Sequence, residues 1–212
     1  MNVRMKVGFA AVLFVGNVLF FAPVTSAQHE GHDHDAGEGH DEEAKMMEMW
    51  AKMGAPGEHH KQLEPFAGKW SYLTKWRMSP EQPWGESRGS AVFEWVMGGR
   101  FLLQHIKGED EDPMMGRFEG MGFLGYDNAT HKHVSTWIDT MGTGVMLSEG
   151  SCDESGKVFT LVGSYFDPMI GKETKAKSIS RIISNDKHVF EMYGLSEKGE
   201  EFKTLEVTYT RK

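Results

Sequence analysis

The sequence predicts an all-β fold, an up-and-down antiparallel barrel of about ten strands, preceded by a short N-terminal helix and a disordered His- and acid-rich tail. Three observations carry this. From Lys69 to the C-terminus, apolar and polar residues alternate with period two in successive short runs. Tight Gly, Asn and Asp punctuation separates most of the runs. No amphipathic helical pattern interrupts them, which excludes the crossovers that parallel strands require. A meander this long removes its edges most simply by closing on itself, with a two-sheet sandwich as the alternative.

The first residues, MNVRMK, are short and basic, and an uncharged apolar run follows from Val7 to Phe21, then Pro23 and Thr25-Ser26-Ala27. This is the three-part plan of a secretory signal peptide, with small residues placed for cleavage before Gln28. The apolar run is short for a membrane span, which needs about 20 residues. Residues 1–27 are therefore expected to be removed by a cut after Ala27, leaving a periplasmic or secreted chain with no membrane span.

The formal charge of the 212-residue chain is −8, but the acidity is local. Gln28–Glu43, QHEGHDHDAGEGHDEE, holds seven acids, no Lys or Arg, and His29, His32, His34 and His40. Such a stretch cannot bury enough surface to offset its ordering entropy and is expected to be disordered. The remaining body has no basic patch of the kind that binds nucleic acid. The single cysteine, Cys152, forbids an internal disulfide, so apolar burial and hydrogen bonding must hold the fold.

Residues 44–66 read as a helical lead-in. Met46, Met49, Trp50 and Met53 fall at helical spacing before Gly54 and Pro56, a stripe expected to dock on the main body and to cap the mouth of the barrel. Residues 67–212 form the β-domain. Its expected strands are Lys69–Met78, Arg88–Met97, Arg100–Lys107, Phe118–Tyr126, Lys132–Thr140, Val145–Cys152, Lys157–Asp167, Thr174–Ser184, His188–Ser196 and Phe202–Arg211. The hairpin signal is clearest in FEGMGFLGYDNATHKHVSTWIDTMGTG (118–144), two aromatic and β-branched runs joined by Asp127-Asn128-Ala129-Thr130. Asn128 also fits a glycosylation pattern, but its turn geometry is sufficient reason for it.

Gly68-Lys69-Trp70 resembles the Gly-x-Trp signature of the calycins, the lipocalin-like barrels. That resemblance implies that Trp70 packs across the closed end of the barrel and that an Arg from a late strand, here Arg211, covers it. The 118–144 motif, MGGRFLLQ (97–104), FEMY (190–193) and the terminal YTRK are similar to the domain-of-unknown-function 1579 family over about Met46–Lys212. The resemblance implies a calycin-like barrel in an exported bacterial protein and assigns no activity.

Several motifs invite a chemical reading. Gly85–Gly89 matches the G-x-S-x-G nucleophile elbow, but SAVFEWV after it alternates as a strand, where the elbow requires a helix. Gly120–Gly125 matches G-x-G-x-x-G, but a hairpin follows it instead of a helix N-terminus. Glycines inside strands mark bends or places where another group lies against the backbone. His131 and His133, two apart on an extended run, would share a face and can share a metal, with His105 or Asp139 as third ligand; against this, His131 lies at the turn, where an exposed histidine needs no explanation.

On the run 132–140, His133, Ser135, Trp137 and Asp139 share one face, and Val134, Thr136 and Ile138 share the other. Trp137 is costly to leave in water, which favours turning the polar set inward. His133, Trp137 and Asp139, with Glu94 and Arg100 beside the Gly98-Gly99 turn, are then the expected lining of a ligand cavity. The leading expectation is a binding module for a small, partly apolar ligand. The alternative is loose Cu, Zn or Ni binding through the tail imidazoles His29, His32, His34 and His40. An uncharacterised hydrolase or isomerase ranks below both, since no nucleophile–base or dicarboxylate arrangement shows in the spacing. The tail reading predicts that calorimetry with Cu²⁺ or Zn²⁺ detects binding to the chain from Gln28 and none to a chain from Lys45; equal binding to both would contradict it.

Overall fold

In the computed structural model the described residues are 36–114, 116–167, 171–196 and 198–212. Helix α1 (Ala36–Gly54) leads into a short helix α2 (Glu58–Lys61) and a 3-10 turn (Glu64–Phe66). Ten strands follow: β1 (Gly68–Trp76), β2 (Gly85–Val96), β3 (Phe101–Asp112), β4 (Gly116–Asp127), β5 (Lys132–Asp139), β6 (Met146–Cys152), β7 (Val158–Asp167), β8 (Lys172–Ser184), β9 (Lys187–Leu195) and β10 (Glu201–Arg211). Each pairs antiparallel with its neighbours in sequence, and β1 pairs with β10, so the sheet closes into a barrel.

The strands agree with the alternation in the sequence to within a few residues, except for β3. The acidic stretch Gly108–Asp112 continues as strand, beyond a register shift against β4 between Lys107 and Glu111. Charged residues there tolerate strand geometry because the end of the hairpin is exposed on both faces.

Strand pairing runs unbroken round the barrel, so register fixes which side chains point inward. Trp70 and Tyr72 of β1 stand opposite Ala91 and Gly89 of β2 and opposite Arg211 and Tyr209 of β10. Trp95 opposes Leu102, and Leu124 opposes both Leu102 and Ser135. Cys152 opposes Phe159, and His188 opposes Ile182 and Tyr209.

The core lies at one end. Trp70 and Leu102 are fully enclosed, with Phe93, Phe159, Tyr209, His188 and, from the segment before β1, His60, Leu63 and Phe66. That segment plugs the end of the barrel where β1 begins. Trp70 Nε1 donates to Phe66 O at 2.8 Å, and Trp95 Nε1 donates to Glu64 Oε2 at 2.6 Å. The Arg211 guanidinium stands 4.1 Å from the Trp70 ring centroid. It donates to the carbonyls of Ala67 (2.8 Å), Pro65 (3.0 Å) and Asn185 (2.8 Å). One side chain thus joins the last strand, the plug and the β8–β9 turn.

Helix α1 differs from expectation in two ways. It starts at Ala36, inside the stretch whose composition reads as disordered. Its stripe does not dock: Met46, Met49, Trp50 and Met53 are exposed. Its end is tied down, where Asn128 Nδ2 donates to the carbonyls of Met53 and Ala55. These come from the β4–β5 turn, at the plugged end, so the stripe cannot cap the opposite mouth. The physical reason is the Gly54–Gly57 break, after which the shorter plug, not α1, supplies the apolar cover. Asn128 therefore does work beyond the turn itself.

Replacing Arg211 with Ala is expected to lower stability by about 2–3 kcal/mol, the loss of a cation–π contact and charge-assisted hydrogen bonds. Arg211→Lys should recover little, because an ammonium cannot reach three carbonyls from one plane. Urea unfolding checks both; a Lys variant as stable as the native chain would show that charge alone suffices.

Candidate functional site in the open half of the barrel

Away from the plug, the inward positions change character. Gly85, Gly89, Gly120, Gly122 and Gly163 alternate there with Thr74, Ser135, Ser148 and Ser178. Three aromatic side chains stand close against this backbone. A Cβ on Gly85 would meet Trp76 Cε2 at 2.6 Å, one on Gly89 would meet Tyr72 Oη at 2.4 Å, and one on Gly120 would meet Trp137 Cζ2 at 2.3 Å. The first two are directly opposed pairs, and the third is a diagonal one. Glycine is required here for close approach: any side chain would push the ring toward the barrel axis.

Tyr72, Ser148, Gly89, Gly120, Gly122 and Gly163 are buried, but other inward residues are not sealed. Thr74, Gln104, Ile106, Trp137, Asp139, Met146, Thr174 and Met192 are half-buried although they face the axis, and Trp76 is 47 % exposed. Inward-facing and water-reachable together define an open mouth, at the end of the barrel opposite the plug. Its wall is aromatic, its floor is the packed core, and small hydroxyl side chains supply adaptable hydrogen bonds.

The expected site residues fall into separate places. Trp137 and Asp139 face inward near the mouth, joined to each other: Trp137 Nε1 donates to Asp139 Oδ2 at 2.7 Å, and the Met141 amide donates to Oδ1 at 2.9 Å. His133 also faces inward, but at the other end of β5, under the plug, with Nε2 3.1 Å from Gln62 Oε1 and its ring against Tyr126 and Phe159. It belongs to the core. Glu94 is exposed, and its place in β2 turns it outward. Arg100 lies exposed in the β2–β3 turn and donates to Met97 O at 3.0 Å. Neither lines the interior, because the Gly98-Gly99 turn belongs to the plugged end.

The histidine pair is also separated. His131 sits exposed in the turn at φ 56°, before the alternation of β5 begins, while His133 is buried. His105 points to the outer face, and Asp139 is at the far end of the strand. Among the described residues no three His, Cys, Asp or Glu side chains come together as metal ligands. His29, His32 and His34 lie outside the described residues; His40 falls on α1, and its side chain is likewise outside them. The G-x-S-x-G match lies wholly within β2, and the G-x-G-x-x-G match within β4. Burial, and then Asp153, push the Cys152 thiol up, away from the depressed range of activated cysteines.

One core group is missing from the sequence reading. His188 occupies the inward slot of KHVFEMY, stacked on Tyr209 (4.2 Å between centroids, 13° between planes) and edge-on to Trp70 and Phe66. Both of its ring nitrogens are buried with no protein partner. Burial, and then the Arg211 charge, hold its pKa down at about 3. Burial, then His59, hold His133 at about 4. Tyr209 is pushed up by burial and Tyr72. The alternation of β9 could have flagged His188 as inward; nothing local showed that its neighbours would all be aromatic.

The geometry agrees with the comparisons. Residues 55–211 match the family described as protein of unknown function (DUF1579), and the chain belongs to that family. Among solved structures, the crystal structure of Rv2717c from M. tuberculosis is similar at 17% identity, covering 74% of this chain and 99% of that one with a TM-score of 0.54. A redesigned β barrel, b11L5F_LGL, is similar at 14% identity over 71% and 95% of the two chains, with a TM-score of 0.38. No curated protein matches. The likeness to Rv2717c concerns the fold alone.

The two depressed histidines predict acid sensitivity with a definite sign. An unfolded His binds its proton near pH 6.5, whereas His188 stays neutral in the fold to about 3 and His133 to about 4. Their stabilising effect is therefore complete above about pH 6.5 and is lost as pH falls, at about 1.4 kcal/mol per pH unit for each while the folded group remains neutral. His188→Leu should leave stability at pH 7 equal or higher and flatten the decline between pH 6.5 and 4. Urea midpoints across that range measure it; a steep loss at pH 7 would mean that His188 holds a hydrogen bond the packing depends on.

Proposed function

We propose that this chain is an exported binding protein that holds a small, partly apolar ligand in the open half of the barrel. The observation that carries the reading is the seating of Trp76, Tyr72 and Trp137 against Gly85, Gly89 and Gly120 beside half-buried inward hydroxyls. A chain selected only for a packed core would place bulky side chains at those glycine positions, as it does with Trp95 and Leu124 on either side of Leu102. Aromatic walls give apolar contact with little entropy cost, and Ser and Thr hydroxyls satisfy whichever polar groups the guest brings. The leader and cut site before Gln28 support export.

Asp139 gives the pocket polarity. Two donors hold it, so it accepts further hydrogen bonds without moving, and it favours a guest that donates or carries positive charge near the mouth. No bond making or breaking is required of any residue in this reading.

Native mass spectrometry of the chain purified from its producing cell should show a retained small molecule. Gly120→Val, which drives the Trp137 ring toward the axis, should reduce retention by about tenfold or more with a modest loss of stability. Trp137→Ala should weaken it as well. Full retention in both variants would remove the site from this half of the barrel.

A further inference from the structure

The two ends of the barrel differ in what their loops expose. At the plugged end, the β2–β3, β4–β5, β6–β7 and β8–β9 turns are built mostly from Gly, Asn, Asp, Ser, Thr and charged residues, and the exposed large apolar side chains in them or at the strand ends beside them are, among the described residues, Met97, Phe101 and Ile183. At the mouth, every connection or the strand end beside it presents one. Met78 and Trp84 come from β1–β2, Met114 from β3–β4, Met141 from β5–β6, Phe166 from the end of β7, and Leu195 from the end of β9. Met114 is 90 % and Met78 71 % exposed, beyond what covering a neighbour requires.

This rim is held in place. Arg77 Nε donates to Lys203 O at 3.0 Å and Nη1 to Pro80 O at 2.9 Å, while its guanidinium stands 4.5 Å from the Trp84 ring. The longest mouth loop is thus fixed against β10 with Met78 turned out. Exposed apolar side chains grouped in this way mark an interaction surface.

The shape of the group selects its partner. A ring around an opening offers a protein little continuous area, and stable protein interfaces bury about 1,200–2,000 Å². A fluid lipid surface accepts a ring of separate tips, each inserting among headgroups, and Trp, Met and Phe suit that boundary. The charge selects the lipid. Glu109, Asp110, Glu111 and Asp112 precede Met114 in the chain, and Arg117 pairs with Glu111 at 3.8 Å, so the acids outnumber the cation there and an anionic surface would repel the rim. Among the described residues no helix is long and apolar enough to cross a membrane, and surface docking asks for none.

We propose that the mouth of the barrel docks on a zwitterionic lipid surface through these loop side chains. Docking would place the opening against the membrane, where a partly apolar guest can pass without crossing water. The contact is read at the rim with no guest present, so its failure would leave the interior site standing.

The test is co-sedimentation of the chain from Gln28, free of the apolar leader, with phosphatidylcholine vesicles. Binding is expected at both low and high salt, and Met114→Asp with Phe166→Asp should weaken it by about tenfold or more. Met97→Asp at the plugged end and the helix pair Met46→Asp with Trp50→Asp should bind as the native chain does. These side chains are exposed, so circular dichroism should show all variants folded; Met78→Asp with Met141→Asp serves as a second mouth pair should the first fail. No sedimentation of the native chain would overturn the proposal. So would unchanged binding in both mouth pairs, loss in the helix pair, or a requirement for anionic lipid. If ultracentrifugation without vesicles shows that the mouth substitutions dissolve an oligomer, the rim belongs to a second copy and the proposal falls.

Discussion

Closure of the sheet is the constraint on which everything else depends. β1 and β10 are the two ends of a meander, and either left unpaired would expose a row of backbone donors and acceptors along its whole length. Their pairing satisfies those groups and encloses a space at the same stroke. Arg211 makes closure specific at one end: the same guanidinium covers Trp70 and binds carbonyls of the plug and of the β8–β9 turn. Register at that seam sets which residues of all ten strands face the axis. A slip of one residue there would turn Trp70 to solvent.

Once the inward set is fixed, the barrel divides into two storeys with different physics. The plugged storey is filled by large rings packed round His188, Tyr209 stacked on it and Phe66, Trp70 and Phe93 edge-on, a dry environment that disfavours the protonated imidazole. The open storey has glycine where the other has bulk, and its rings stand close against the wall. The first storey supplies stability, and the second gives up some of it. Glycine adds backbone entropy to the unfolded chain and removes packing from the folded one, so several inward glycines carry a cost that a purely structural barrel would avoid.

Much of this is legible in the chain. Period-two alternation places nearly every strand, because a closed antiparallel sheet imposes inside and outside on alternate residues except where the register shifts. The inward turn of Trp137 and Asp139 follows from the same alternation and the cost of a wet indole. The limits are equally physical. Alternation says nothing of which end of the barrel a residue occupies, so His133, at one end of β5, was grouped with Asp139 at the other. Glu94 and Arg100 were drawn in by nearness to a glycine turn that belongs to the plug. Helical spacing on α1 shows amphipathicity but not what covers the apolar face. Alternation can place His188 inward but cannot show its surroundings, which are assembled from separate parts of the chain.

The central claim is that one half of the interior is open and the other sealed, and NMR with a small neutral paramagnetic probe reads it directly. The account predicts that the indole N–H signals of Trp137 and Trp76 broaden as the probe enters the mouth while that of Trp70 is untouched. A Trp137 signal as protected as that of Trp70 would contradict it, and would leave a barrel packed from end to end.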